Sequence, residues 1–551
     1  MATKQQFALT EIRKENPSFS KFRTLIESAF YQNNVEKKSN LQEMYDLAKV
    51  AKGVTVTDMG IFNAELLGLE KDSKVLLYNS GSIVGRSAEA RRIIGTYGVD
   101  EFHYSNILSE AIYEGSDKTF YHGECCIGSS ADFMAKAHLM IPETYAHQFY
   151  SWHLNFRHFS EEVTKEYYNS TPIDNEADIY IYVDPDWKHD DFPYGAAIID
   201  PEHNCAAILG MKYFGELKKG TLTLYWAMAT RHDFVACHGG QKRFLLEDDS
   251  VYTLSVFGLS GSGKSTITHY NHNNEFKDIT VLHDDSFIIN LVDGSSLAIE
   301  KTYFDKTQDY PTDSEDNKYL LMAINNGVTL DENGKKVIVT EDIRNGNGRA
   351  IKSEFWSPNT ISKIEEPVNA VVWLMKDPVL PPVVKVTKPD LASLFGATLA
   401  TKRTTAENLR KNSDLQEIVI EPYANPFRTY PLVKDYKGFK RLFEEHDVEC
   451  YVINTGHFLH KKIPPKVTLE IIRKIVNKEC CFEKWGNFSQ LEIMEVEGFI
   501  PDMEDKDYLR RLRDSISSRV DYIENANAAR GRLNRLPLET IISLENVLEK
   551  I

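Results

Sequence analysis

Residues 256–266 read VFGLSGSGKST, a full match to the pattern GxxxxGK[ST], set directly behind the apolar run YTLSVF and ahead of a helix-like segment. Few short stretches constrain a fold so strongly. Gly258, Gly261 and Gly263 allow a turn tight enough for successive backbone N–H groups to converge on phosphate oxygens, so the turn must leave a strand and enter a helix. Lys264 then reaches the β- and γ-phosphates, and Ser265 can hold Mg²⁺. The candidate nucleotide contacts are therefore Gly258, Leu259, Ser260, Gly261, Ser262, Gly263, Lys264, Ser265 and Thr266. The competing reading is a glycine-rich surface turn. Such a loop serves kinases, switches and binding proteins alike, so the chemistry must be read from residues elsewhere.

A chain of 551 residues is expected to form more than one domain, and 42% hydrophobic with 26% charged residues is the composition of an ordinary globular protein. A formal charge of -17 argues against a nucleic-acid footprint, which needs a basic surface. The arginines Arg510, Arg511 and Arg513 read as the solvated face of a helix. The N-terminal MATKQQFALTEIRKENPSF lacks the apolar core of a secretory signal, and no apolar run approaches the roughly 18 residues of a spanning helix, so a cytoplasmic protein without a membrane partner is expected. Seven cysteines, an odd number without CxxC spacing, suggest buried thiols and neither a disulfide framework nor a structural zinc site.

Helical spacing marks FSKFRTLIESAFY, LQEMYDLAKVAKG and the tail around DYLRRLRDSISSRVDYI. KVLLYNSGS, ADIYIYVDP, AAIID and CAAILGM read as strands, as do YTLSVFGLS, ITVLHDD, NAVVWLMKD and CYVINTG further on. Acidic LLEDDS, ahead of Val251, reads as a seam between two α/β domains, 1–245 and 246–551.

Two further segments bear on chemistry. The strand-like ITVL ends in His283, Asp284 and Asp285, and acidic side chains at the end of a parallel strand beside a phosphate loop are placed to hold the metal of a metal–nucleotide complex. Upstream, Lys218 and Lys219 precede the strand-like TLTLYWAMA and a late His238; alone, these would be surface charges and a core histidine.

Taken together, YFGELKKG, HGG and GLSGSGKST…HDD, in this order, resemble the ATP-dependent phosphoenolpyruvate carboxykinases. NSGSIVGRS, VWLMKDPVLPPVVKVT and YVINTG extend the resemblance over about residues 75 to 500. It implies a two-domain α/β fold: an N-terminal substrate-binding domain, a C-terminal phosphate-loop nucleotide domain, and an active-site cleft between them.

Carried over by position, the resemblance implies that Lys219, His238 and Asp285 coordinate Mn²⁺, with Lys219 neutral, and that Lys264, Ser265 and Asp284 serve ATP and Mg²⁺. Ser260 would lie over the transferred phosphate; Arg86, Tyr213 and Lys218 would meet the organic acid; Arg344 would bridge substrate and γ-phosphate. The implied reaction turns oxaloacetate and ATP into phosphoenolpyruvate, ADP and CO₂. Departures cluster around substrate and adenine. Arg86 is followed by Ser87-Ala88-Glu89-Ala90-Arg91 where the family has Pro-Lys-Asp-Lys, EKTYFDK keeps Glu300 and Lys306 but lacks a glycine pair, and Arg349 is an alternative to Arg344. Lys462 stands where the family has an adenine-covering arginine, and FGATLATKRTTAEN only faintly matches the family's lid. Two alternatives therefore stay open: a related kinase with another small-molecule or protein acceptor, as in the bacterial kinase of the phosphocarrier HPr, and a non-catalytic nucleotide-binding regulator. ATP is preferred over GTP because the loop SGSGKS holds no cysteine.

Overall fold

The strand Val251–Phe257 stands between two apolar layers, sending Tyr252, Leu254 and Val256 into one and Phe257 into the other. Tyr252, Leu254 and Val256 join Ala370, Val372, Leu374, Tyr451 and Ile453 in one buried cluster. Phe257 joins Val371, Trp373, Met375, Cys450 and Val452 in the other. Strands covered on both faces need nearly continuous apolar sequence, which LSVF, AVVWLM and CYVI supply.

The computed structural model describes residues 2–81, 90–259, 261–308, 310–341, 347–402 and 417–551. The chain divides into two compact units, one comprising the residues up to Met228 with Ile299–Pro358, the other Ala229–Ala298 with the described residues from Asn359 to Ile551. Both are mixed α/β. In the second unit Val251–Phe257 runs parallel to Ala370–Met375, which runs parallel to Glu449–Asn454, at the centre of a sheet of eight strands among the described residues. The helix Pro465–Val476 covers one face with Ile471, Ile472 and Ile475, while Pro389–Ala397, Leu432–Glu445 and Lys506–Ala528 cover the other. A second sheet in this unit pairs Phe234–Cys237 with Phe287–Asn290.

The first unit holds a mixed sheet in which Phe120–Ile127, Ala135–Pro142, Ile179–Asp184 and Cys205–Leu209 lie side by side, and a five-stranded sheet containing Lys74–Tyr78 and Tyr303–Lys306. Five cysteines (Cys125, Cys126, Cys205, Cys237 and Cys450) are buried thiols. Arg510 is exposed and Arg511 half-buried, and both pair with Asp507 on their own helix, as a solvated face requires. No helix among the described residues is long and apolar enough to cross a membrane.

Three expectations need correction. TLTLYWAMA is not a strand: it forms the greater part of the helix Phe214–Ala229, which is buried nearly all round, so its apolar run carries no period to tell helix from strand. The strand Asp278–His283, which leads into Asp284 and Asp285, pairs antiparallel with Gly239–Leu245 and not within the parallel set. LLEDDS forms the turn of a hairpin between Gly239–Leu245 and Val251–Phe257, inside the second unit.

That hairpin explains the paired glycines after His238. A Cβ on Gly239 would lie 2.7 Å from the Val256 carbonyl oxygen, and one on Gly240 would lie 2.1 Å from Thr268 Oγ1 on the helix that follows the glycine turn. Gly240→Ala is therefore expected to lower stability by about 1–3 kcal/mol, as overpacking does. In urea denaturation its midpoint should fall, and Thr268→Ala in the same chain should recover part of the loss. An unchanged midpoint for the single variant would mean that the strand and helix are not so closely packed.

Candidate active site

The glycine turn has the form its residues call for. Gly261 and Gly263 take φ of 78° and 92°, a region that side chains with a Cβ disfavour, and the Ser262 N–H donates to the Leu259 carbonyl at 3.0 Å. A Cβ at Gly258 would meet Ser262 Oγ at 2.3 Å, so the turn closes on itself only with glycine there. Leu259 and Ser262 are buried beneath it, and the helix Lys264–His269 starts directly after, with Ser265 and Thr266 exposed on its first turn. Lys242 fastens the far end of that helix: its ammonium donates to the Ile267 and Tyr270 carbonyls, both at 2.8 Å. Burial draws the Lys242 pKa down to about 7.

His238 and the Asp284–Asp285 pair sit at one corner. His238 is the single residue between Phe234–Cys237 and Gly239–Leu245; Asp284 and Asp285 connect Asp278–His283 to Phe287–Asn290. Because the first of these strands pairs with the last and the two middle ones pair with each other, both connections cross between sheets at the same place. The Gly239 N–H donates to the Asp285 carbonyl at 3.2 Å, and His283 Nδ1 accepts from the N–H groups of Asp285 and Ser286 at 3.1 and 3.2 Å.

The corner brings three predicted residues together. His238 Nε2 lies 3.1 Å from Asp285 Oδ1, and Lys264 Nζ lies 3.9 Å from the same oxygen. His238 Nδ1 donates to the Ala424 carbonyl at 2.6 Å, which directs Nε2 at the carboxylate. Either a proton on Nε2 or a cation must then bridge nitrogen and oxygen, since both otherwise present lone pairs. An imidazole oriented by a backbone carbonyl and paired with a carboxylate is a donor set suited to a transition metal, so these residues fit a Mn²⁺-class ion. Asp284 faces the other way: burial works to raise its carboxyl, but the neighbouring imidazole of His269, whose Nε2 lies 3.3 Å from Oδ2, together with His283 and Lys264, holds it well below the usual carboxylate range. Lys462 is exposed in the small hairpin formed by His457–Phe458 and Lys461–Lys462.

The remaining described candidates belong to the first unit. Lys218 and Glu300 are both fully buried, with Nζ 3.1 Å from Oε2, and Asn155 Nδ2 donates to the same Glu300 oxygen at 2.6 Å. Lys219, one residue on and so rotated round the helix, is half-buried and lines a small cavity with Arg91, Glu216 and Thr223. Tyr213 is buried just before this helix; a Cβ on Gly215 would strike its ring at 2.2 Å, which accounts for the glycine in YFGE. Lys306 lies opposite Arg349 in an antiparallel pair, and Arg349 is 6% exposed. Arg86, Ser260 and Arg344 lie outside the described residues.

Sequence reasoning did not single out His269 or Lys242. His269 follows Lys264 by five residues, but its pairing with Asp284 depends on how the helix sits against a distant strand; Lys242 stands beside Arg243 in GGQKR, where nothing local distinguishes it from a surface charge.

A mixed α/β chain with a glycine-rich loop, a histidine–aspartate corner and a buried lysine–glutamate pair defines a class of candidate nucleotide-dependent proteins. The model of the phosphoenolpyruvate carboxykinase family, ATP type, matches residues 61–498, and the chain belongs to that family. It is similar to phosphoenolpyruvate carboxykinase (ATP) of Aeropyrum pernix, with 27% identity over 409 residues covering 72% of this chain and 78% of the relative. The glycosomal phosphoenolpyruvate carboxykinase (ATP) of Trypanosoma brucei brucei is 22% identical over 451 residues, 74% of this chain and 90% of its own. That of Eremothecium gossypii is 23% identical over 407 residues, 69% and 71% of the two chains.

The Lys218–Glu300 pair gives a direct test of this part of the site. Lys218→Met leaves a carboxylate buried without its cation and is expected to cost about 3–5 kcal/mol. Adding Glu300→Gln should recover much of that loss in chemical denaturation. Equal midpoints for wild type and Lys218→Met would show that the ion pair does not hold this helix.

Proposed function

We propose that the chain is a phosphoenolpyruvate carboxykinase that uses ATP: it decarboxylates oxaloacetate and transfers the γ-phosphoryl group to the enolate oxygen, releasing CO₂, ADP and phosphoenolpyruvate. The observation that carries this reading is the single oxygen, Asp285 Oδ1, that His238 Nε2 approaches at 3.1 Å and Lys264 Nζ at 3.9 Å. A binding protein needs no histidine–carboxylate pair beside its phosphate lysine. Family membership and the names of the relatives support the same activity.

On this reading the second unit binds nucleotide and the first binds the organic acid. The N–H groups of the glycine turn and the Lys264 ammonium bind the β- and γ-phosphates and stabilise charge as it moves between oxygens. Ser265 presents its hydroxyl, and Asp284, held ionised beside His269, adds a fixed negative charge for the Mg²⁺ that accompanies ATP. His238 and Asp285 would hold the Mn²⁺-class ion, which supplies Lewis acidity toward substrate oxygens when bound. Tyr213 and Arg86 would meet the carboxylates, Ser260 would cover the transferred phosphate, and Arg344 would bridge the two reactants. Lys306 and Lys462 would border the nucleotide. The burial of Lys218 against Glu300 favours a positioning role, fixing the turn of the helix that presents Lys219.

Purified chain with phosphoenolpyruvate, bicarbonate, ADP and Mn²⁺ should form oxaloacetate, detected by coupling to malate formation. Lys264→Ala and His238→Ala should each lower the rate by about 10²-fold or more, the scale seen when one stabilising group is removed from a transition state. A wild-type chain that hydrolyses ATP but makes no oxaloacetate would point to another acceptor and defeat the proposal.

A further inference from the structure

Away from the phosphate loop, one face of the first unit's mixed sheet gathers two histidines and a glutamate. His122 and Glu124 stand two residues apart on Phe120–Ile127 and so share a face, and Glu124 lies directly opposite His138 on Ala135–Pro142. One ligand atom from each lies within 4.8 Å of the others. His122 Nε2 and His138 Nδ1 are 3.1 Å apart, and His138 Nδ1 and Glu124 Oε1 are 3.5 Å apart. Ligands bound tetrahedrally at zinc distances are roughly 3.3 Å from one another, so these two separations already match edges of such a site.

What surrounds the cluster points the same way. His138 is fully buried, and its Nε2 lies 3.0 Å from Asp178 Oδ2. Asp178 is itself buried and held by Thr3 Oγ1, which donates to its other oxygen at 2.5 Å. A carboxylate can only accept, so the proton of His138 sits on Nε2 and the Nδ1 lone pair is turned toward His122 and Glu124. This is the arrangement by which an outer carboxylate orients a metal-ligating imidazole. Tyr180 stacks on the His138 ring at 4.3 Å and fixes its plane. Glu124 Oε1 accepts from Lys37 Nζ at 2.7 Å, and Lys136 Nζ lies 3.9 Å from Oε2, so the site already attracts cations. The Lys37 side chain is 56% exposed on a long stem and can swing into solvent.

We propose that His122, Glu124 and His138 bind a divalent ion of the zinc class, clasping two neighbouring strands and leaving a fourth position for water. Two imidazoles and one carboxylate suit Zn²⁺ or Co²⁺; Mg²⁺ and Ca²⁺ prefer oxygen ligands throughout. None of the three residues takes part in the proposed phosphoryl transfer, so the two proposals stand or fall separately. The competing state is a histidine pair in which His122 Nε2–H donates to His138 Nδ1.

The test uses untagged, metal-stripped full-length protein titrated with Co²⁺, whose visible absorption reports tetrahedral coordination. His238→Ala should retain one equivalent of the tetrahedral signal, while adding His122→Gln or Glu124→Gln to that variant should weaken binding at least tenfold. These two positions are half-buried, and circular dichroism checks that the variants fold; His138 is left intact because Asp178 depends on it. Zn²⁺ should raise the melting temperature of His238→Ala but not of His238→Ala carrying either cluster substitution. A tetrahedral signal in His238→Ala unchanged by adding His122→Gln or Glu124→Gln, or no signal in His238→Ala with all three cluster residues present, would leave a hydrogen-bonded histidine pair only and overturn the proposal.

Discussion

The site depends on how closely two connections can cross between sheets. His238-Gly239-Gly240 passes so near the strand Val251–Phe257 and the helix Lys264–His269 that added Cβ atoms would fall 2.7 Å from a backbone oxygen and 2.1 Å from Thr268 Oγ1. The Asp284–Asp285 connection crosses at the same corner, tied by Gly239 N–H to the Asp285 carbonyl. If either crossing were looser, the imidazole of His238 and the carboxylate of Asp285 would not share a hydrogen-bonding distance, and the ammonium of Lys264 would lose its neighbour.

Charge is divided unevenly within this corner. Asp285 faces two nitrogen groups, His238 and Lys264, whereas Asp284 is taken up by His269 on the short helix. Two adjacent carboxylates with different partners can serve different cations, which is what a reaction with both a nucleotide-bound and a protein-bound ion needs. In the first unit the same logic appears in a drier setting: Lys218 is satisfied internally by Glu300, while its neighbour Lys219 lines a cavity with Arg91.

Much of the fold was legible because its signals are local. The glycine turn, the apolar strands leading to it and the terminal amphipathic helix are written in consecutive residues, and HGG and HDD stand where the corner needs glycines and carboxylates. The helix Phe214–Ala229 reads as a strand in sequence because burial on nearly every side erases the period that distinguishes helix from strand. Strand pairing is a long-range property, so the antiparallel partner of Asp278–His283, 33 or more residues away in the chain, left no trace in ITVLHDD itself. His269 escaped notice for a similar reason: its partner Asp284 becomes a neighbour only when the helix packs beside that strand.

The central claim is that His238 and Asp285 hold a divalent ion beside the phosphate loop. Anomalous diffraction at the manganese edge, from crystals grown with Mn²⁺ and ADP, tests it most directly. A peak within bonding distance of His238 Nε2 and an Asp285 oxygen is the expected result. Manganese found only elsewhere, with His238 still hydrogen-bonded to the Asp285 carboxylate, would contradict it.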